Sequence, residues 1–167
     1  MSQEPLNIQH PAQGVFYMSD KKQVLMVVRE WIHKAENDLK AAEILLGSGE
    51  DCPAETVCFH CQQCLEKYLK AVLAYQGISA PKTHDIELLA GLVSGQNIEI
   101  STEDSRTFSA YAVETRYPGF DVCTLSDAQQ ALSTVKKLLG AILKVMPIDF
   151  IQQTKQTERE SFNNYYS

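Results

Sequence analysis

Apolar residues recur at helical spacing along most of the chain, and the clearest case is the stretch from Pro53 to Gly77. On a helical wheel its apolar side chains gather into one broad stripe, which is wide enough to contact more than one neighbouring helix. The stripe consists of Val57, Cys58, Cys61, Cys64, Leu65, Tyr68, Leu69, Val72 and Leu73. The pattern therefore predicts the central helix of a bundle.

Four further helices are predicted from the same periodicity and from residues that favour helix ends. The first helix starts at Ser19 or Asp20 and ends by Gly47, and the central helix has Asp51 as its N-cap. The third helix is capped by Thr83 and spans Ile86 to about Val93. The fourth helix starts with a capping box of Ser101 and Asp104 and ends near Arg116, and the fifth starts with a capping box of Ser126 and Gln129 and ends by Pro147. The sequence thus predicts an all-α, up-and-down bundle of about five helices.

The bundle is predicted to occupy residues 19–147, between an N-terminal arm (1–18) and a polar C-terminal tail (148–167). A chain of 167 residues fits one domain, and its 44% hydrophobic and 22% charged residues are typical of a globular protein. No apolar run approaches the ~18 residues that a membrane span needs. The first residues lack the basic start and apolar core of a signal peptide, so we expect a cytoplasmic protein that does not enter a membrane.

Charge limits the kinds of ligand that the chain can bind. Its net charge is −6, from 15 basic and 21 acidic residues. General nucleic-acid binding needs a broad basic face, which this composition does not supply. Any phosphate-binding site must therefore be local.

A narrow polar stripe lies opposite the apolar one on the central helix, and it is the first candidate site. It consists of His60, Gln63, Lys67 and Lys70. The competing interpretation is a solvated face, on which Glu66 and Lys70 form an ordinary i,i+4 ion pair.

Two further residues could join the stripe if the helices bring them close. His84 is predicted at the start of the third helix, where exposed N–H groups could hold a phosphate, although it could equally be a capping residue. Arg116 is predicted in the last turn of the fourth helix, where a cation also has a purely structural use.

Cysteine usage favours reduced thiols. The chain has five cysteines, an odd number, and Cys58, Cys61 and Cys64 share the predicted core stripe. Their spacing resembles that of metal ligands, but three thiols at i, i+3 and i+6 of one helix splay apart instead of converging. We expect buried, metal-free thiols that act as small hydrophobic groups.

Several motifs in order resemble the HEPN domain (higher eukaryotes and prokaryotes nucleotide-binding), from about Val27 to Met146. They are Phe59 to Lys70 (FHCQQCLEKYLK), Gly77-Ile78, Lys82-Thr83-His84-Asp85 and Arg116-Tyr117-Pro118-Gly119. Cys61 and Cys64 stand where the family usually shows alanine, which keeps the small apolar character.

The resemblance implies a nucleotide as the ligand, with no other cofactor, and a two-fold homodimer. It also implies association with a separately encoded minimal nucleotidyltransferase, in a toxin–antitoxin or regulatory pair. The nucleotide- or partner-binding residues would be His60, Gln63, Lys67, Lys70, His84, Arg116 and Tyr117. Exchanging Lys67 and Arg116 for glutamate is expected to abolish binding, at a cost in stability below ~0.5 kcal/mol.

Ribonuclease activity in this family is tied to an arginine followed, after four to six residues, by a histidine late in the domain. This motif is missing, because the histidines are His10, His33, His60 and His84 and none follows Arg116. We therefore expect a binding module and assign no catalytic residue. The alternatives are a divergent metal-independent ribonuclease, in which His84 substitutes for the missing histidine, and a non-catalytic homo-oligomeric scaffold.

Overall fold

The computed structural model describes residues 21–93, 98–114 and 123–146, and it confirms the predicted all-α bundle. The elements are α1 (Lys21–Leu46), a 3-10 turn (Gly49–Asp51), α2 (Ala54–Tyr75), α3 (Ile86–Leu92), α4 (Thr102–Glu114) and α5 (Leu125–Val145). Within these ranges no helix is long and apolar enough to cross a membrane. The predicted arm, the predicted tail and the predicted end of the fourth helix near Arg116 lie outside the described residues.

Helix α2 is the centre of the bundle, as its apolar stripe predicts. It contacts each of the other four helices, and every residue of the predicted stripe is buried. Leu65 and Leu69 are completely inaccessible to solvent. Burial of one such leucine side chain contributes roughly 1.5–3 kcal/mol, so the stripe is a main source of the stability of the fold.

Helices α1 and α2 are antiparallel neighbours. Asp38 in the second half of α1 contacts His60 in the first half of α2, whereas Trp31 contacts Lys70 further along α2. The contacts run in opposite order along the two helices, which is the geometry of a helical hairpin.

The C-terminus of α2 is closed by Gly77, the residue at which the predicted central stretch ends. Gly77 has a positive φ of 76°. The amide of Ile78 donates to the carbonyl of Leu73 at 2.9 Å, and the amide of Gly77 donates to the carbonyl of Ala74 at 2.9 Å. These two bonds form a Schellman motif, for which glycine is favoured because it adopts the left-handed conformation without strain. The motif reverses the chain, so that the loop before α3 returns along α2.

The N-cap of α3 is Asp85, and the prediction of Thr83 was wrong. The carboxylate of Asp85 accepts the amide of Leu88 at 3.0 Å, which is the bond that defines the cap. Thr83 lies two residues too early, and its hydroxyl accepts the amide of Asp85 at 3.1 Å instead.

Two other predicted helix starts were also wrong, whereas the cap of α4 is confirmed. Helix α5 starts at Leu125 with a capping box of Thr124 and Asp127, so that Ser126 lies inside the first turn. Asp51 ends the 3-10 turn, and α2 starts after Pro53 with no side-chain cap. The amide of Asp104 donates to the Ser101 hydroxyl at 3.0 Å, as predicted.

Candidate functional site

The polar stripe of α2 is organised around two carboxylates. We call Glu66 with Gln62, Lys70 and His84 the Glu66 cluster, and Asp38 with His60 and Lys67 the Asp38 cluster. The Glu66 cluster joins α2 to the loop before α3, and the Asp38 cluster joins α2 to α1. The residues of the predicted polar stripe therefore connect α2 to neighbouring parts of the bundle as well as lining its surface.

Three side chains donate to the carboxylate of Glu66. Lys70 Nζ lies 2.8 Å from Oε1, Gln62 Nε2 lies 2.8 Å from Oε2, and His84 Nδ1 lies 3.0 Å from the same oxygen. Lys70 also donates to the backbone carbonyl of Thr83 at 2.9 Å. The buried carboxylate is thus fully provided with donors, as a buried charge requires.

Burial and hydrogen bonding act in opposite directions on Glu66. Burial raises its pKa, but the hydrogen bonds from Lys70, Gln62 and His84, together with the charge of Lys70, prevail and hold the pKa below its usual value. Glu66 is therefore ionised at neutral pH, and the ionised carboxylate is what fixes the donors around it.

The predicted i,i+4 ion pair of Glu66 and Lys70 is present, but it is buried and not solvated as expected. Their side chains are only 4% and 8% exposed. Helix α1 covers them from one side, where the ammonium of Lys70 lies 5.3 Å from the ring centre of the partly buried Trp31. A pair desolvated in this way is costly to break, unlike the solvated pair that the spacing alone suggests.

His84 is the exposed member of the Glu66 cluster. Its side chain is 61% exposed although its Nδ1 is bound to a buried carboxylate. Since a carboxylate only accepts, Nδ1 carries a proton and donates. The ring is thereby held in one orientation, and Nε2 is the nitrogen that remains for a ligand.

The backbone N–H groups of Asp85, Ile86 and Leu88, close to His84, are already bonded within the protein. The amide of Ile86 donates to the hydroxyl of Ser109 at 2.9 Å, and that of Leu88 donates to Asp85. These three N–H groups are therefore not open to a phosphate at this position.

The Asp38 cluster is built in the same way, with one carboxylate bonded to a histidine and a lysine. His60 Nδ1 lies 2.9 Å from one oxygen of Asp38, and Lys67 Nζ donates to the other oxygen. All three side chains are partly buried. His60 is therefore a second histidine whose Nδ1 is bound to a carboxylate, although it is less accessible than His84.

The structure brings the predicted site residues together in two groups. Lys70 and His84 meet at Glu66, His60 and Lys67 meet at Asp38, and Gln63 donates to Gln62 at 2.7 Å. Arg116 and Tyr117 lie outside the described residues.

Sequence analysis missed Asp38 as an acceptor, and it named Glu66 only as the partner of Lys70 on a solvated face. The placement of Gln62, Glu66 and Lys70 at successive i,i+4 positions was a usable signal for the Glu66 cluster. Asp38 carries no comparable signal, because its partners come from another helix. Asp38 and Glu66 neutralise Lys67 and Lys70, so these lysines are already paired and are not free to bind an anionic ligand.

The core thiols are buried as predicted. Cys58, Cys61 and Cys64 have no exposed surface, and burial raises the pKa of Cys61 to about 12. In the part of the chain that the structure describes, no group of three or more histidine, cysteine or acidic residues is arranged to hold a metal ion.

Comparison with known proteins identifies the family. The model of the HEPN domain matches residues 28–145, so the protein belongs to the HEPN domain family. Comparison with curated proteins gives no match. The crystal structure of TT1696 from Thermus thermophilus is similar, with a TM-score of 0.60 and 22% sequence identity, over 71% of this chain and 98% of that chain. At this identity the likeness concerns the fold alone.

Proposed function

We propose that this protein is a HEPN-type binding module that binds a nucleotide beside α2, with His84 as a direct contact. The observation that carries the proposal is the Glu66 cluster, in which a buried carboxylate holds an exposed histidine in one orientation. A buried polar network costs desolvation energy that a well-packed apolar core would not. A binding role gives a reason for this arrangement.

The chemistry of His84 suits a nucleotide. In its neutral form Nε2 accepts a hydrogen bond from a ribose hydroxyl or a base N–H, and in its protonated form it donates to a phosphate oxygen. Because Glu66 holds the ring before a ligand arrives, little rotational freedom is lost on binding. We propose that Arg116 and Tyr117 complete the site, since Lys67 and Lys70 are neutralised by their carboxylates.

The HEPN family also suggests a partner, and we propose a separately encoded minimal nucleotidyltransferase. In this arrangement the protein is a homodimer and the transferase supplies the chemistry. Affinity purification from the source cells should then recover a nucleotidyltransferase chain, and sedimentation at micromolar concentration should show a dimer. Recovery of a monomer of 18.7 kDa without a partner would contradict both the proposed homodimer and the proposed nucleotidyltransferase partner.

A divergent ribonuclease is the second candidate, and the pairing of His84 with Glu66 favours it. A histidine oriented by a carboxylate is a common general base, and metal-independent RNA cleavage needs one near the reacting 2′-hydroxyl. Purified protein should then cleave RNA in the presence of a chelator, and His84→Ala should abolish the cleavage. Equal activity of this variant and the natural protein would attribute the cleavage to a contaminant.

Calorimetric titration with AMP, ATP, GTP and adenosine tests nucleotide binding. The proposal predicts saturable binding of at least one nucleotide, and at least a tenfold loss of affinity, about 1.4 kcal/mol, in His84→Ala. The matched control is Lys137→Ala, because Lys137 is an exposed polar residue on another helix, α5. Failure of every nucleotide to bind, or equal affinity in both variants, would contradict the proposal.

A further inference from the structure

Gln62 is the most deeply buried residue of the Glu66 cluster and has no exposed surface. One end of its side-chain amide meets two acceptors, the carboxylate oxygen Oε2 of Glu66 at 2.8 Å and the backbone carbonyl of His84 at 3.5 Å. The other end meets the half-buried Gln63, whose Nε2 lies 2.7 Å from Oε1 of Gln62. A single buried amide thus contacts both Glu66 and His84.

The chemistry of these neighbours fixes the direction of both amides. An ionised carboxylate and a backbone carbonyl only accept, so the NH₂ group of Gln62 must face Glu66 and His84. The oxygen of Gln62 then faces Gln63, which must present its own NH₂ group. The reverse orientation would set oxygen against oxygen in a site that excludes water. We call these two residues the Gln62–Gln63 pair, and its hydrogen bonds run in one direction, from Gln63 through Gln62 to Glu66.

We infer that Gln62 is a positioning residue for His84, and that Gln63 acts through Gln62 by fixing the direction of its amide. The inference rests on the nucleotide-binding role proposed for His84. Gln62 and the imidazole Nδ1 bond to the same oxygen of Glu66, so the amide occupies one lone pair and leaves the other to His84. Because Gln62 also reaches the carbonyl of His84, one amide locates both the side chain and the backbone of this residue.

The Gln62–Gln63 pair thereby determines which nitrogen of the neutral imidazole faces a ligand. With Nδ1 protonated and bonded to Glu66, Nε2 of His84 carries the lone pair and accepts. A ligand group that meets the neutral ring must therefore donate, as a ribose hydroxyl or a base N–H does and an ionised phosphate does not. Without the amide the ring, which is 61% exposed, can turn into solvent and take either tautomer.

The first test needs no nucleotide. In the full-length protein labelled with ¹⁵N-histidine, at a pH where His84 is neutral, the imidazole signals report which nitrogen carries the proton. We expect the Nδ1–H tautomer alone in the natural protein and both tautomers in Gln62→Met, because methionine keeps the length of the side chain but has no N–H group. His60 bonds to Asp38 and not to Gln62, so its signals should stay in place.

Gln130→Met is the matched control, because Gln130 also bonds to a residue four positions further on, Thr134 of α5. Gln63→Met should change the His84 signals in the same direction as Gln62→Met but by less, since the contact with Glu66 remains. It also carries the test if circular dichroism shows that Gln62→Met does not fold. Retention of the Nδ1–H tautomer in the folded variants, or an equal change in Gln130→Met, would overturn the inference.

The second test separates this inference from the proposed function. Where the natural protein binds a nucleotide, Gln62→Met should weaken binding about tenfold, the lower end of the loss seen when a metal-binding histidine loses its orienting partner. Unchanged affinity beside a mixture of tautomers would overturn the positioning role. Failure of the natural protein to bind any nucleotide would contradict the proposed function, whereas the ligand-free spectra decide whether Gln62 fixes His84.

Discussion

Replacing Glu66 with alanine should destabilise the protein by about 3–5 kcal/mol, the range found when one partner of a buried ion pair is removed. Lys70 would remain buried beneath α1, and the carboxylate oxygen 2.8 Å from its ammonium would be gone. Gln62 and His84 would lose their acceptor as well. An unsatisfied buried donor costs about 1–3 kcal/mol, so the loss of Lys70 pairing alone accounts for much of the total.

Urea unfolding followed by circular dichroism measures this cost. The matched control is Glu87→Ala, because Glu87 is an exposed glutamate whose contact with Arg106 is 4.0 Å long. An exposed pair of this kind contributes about 0–1 kcal/mol. A cost for Glu66→Ala as small as that of the control would refute the account of a buried, desolvated network.

A double exchange separates stability from function. Replacing Glu66 and Lys70 together with methionine removes both charges, and buried pairs replaced by apolar residues are often neutral or stabilising by about 1–4 kcal/mol. The double variant should therefore be clearly more stable than Glu66→Ala, yet bind no nucleotide. A double variant that binds normally would show that the cluster is structural.

Three further outcomes follow from the contacts of the site and the caps. Lys67→Glu should cost about 1–3 kcal/mol in urea unfolding, because it sets two partly buried carboxylates against each other; a cost below about 0.5 kcal/mol would restore the sequence-based expectation. Thr124→Ala should cost about 1 kcal/mol and Ser126→Ala much less, and the reverse order would place the cap of α5 at Ser126. Because the folded-state pKa of Glu66 is lowered, its contribution to stability is present above the unfolded pKa of about 4.3 and is lost as the pH falls through the folded value. The free energy of unfolding, measured as the pH is lowered, should therefore decrease less in Glu66→Gln than in the natural protein. Identical decreases in both proteins would contradict the lowered pKa of Glu66.

The fold could be predicted because its main signal is local. The wide stripe of α2 required neighbours on several sides, and the structure supplies them. Gly77 marked the end of α2 because few other residues tolerate its backbone conformation. The starts of α3 and α5 were misplaced because serine, threonine and aspartate cluster there, as in Thr124, Ser126 and Asp127, and their spacing alone does not show which one reaches the right amide.

The partners in the site were harder to predict, because they depend on contacts between helices. Lys67 looked like a free cation, since nothing near it in sequence points to Asp38 of α1. The burial of Lys70 depends on Trp31, which is also on α1. Side-chain charge is visible in a sequence, but its neutralisation across a helix pair is not.

The most direct test of nucleotide binding at His84 follows the imidazole signals of protein labelled with ¹⁵N-histidine during titration with ATP, AMP and adenosine. His33 is the internal control, because it lies on the exposed face of α1 and bonds to Asn37. The account predicts that the Nε2 signal of His84 shifts with saturation for at least one nucleotide, while the signals of His33 stay in place. No change at His84, or equal unsaturated drifts of both histidines, would contradict it.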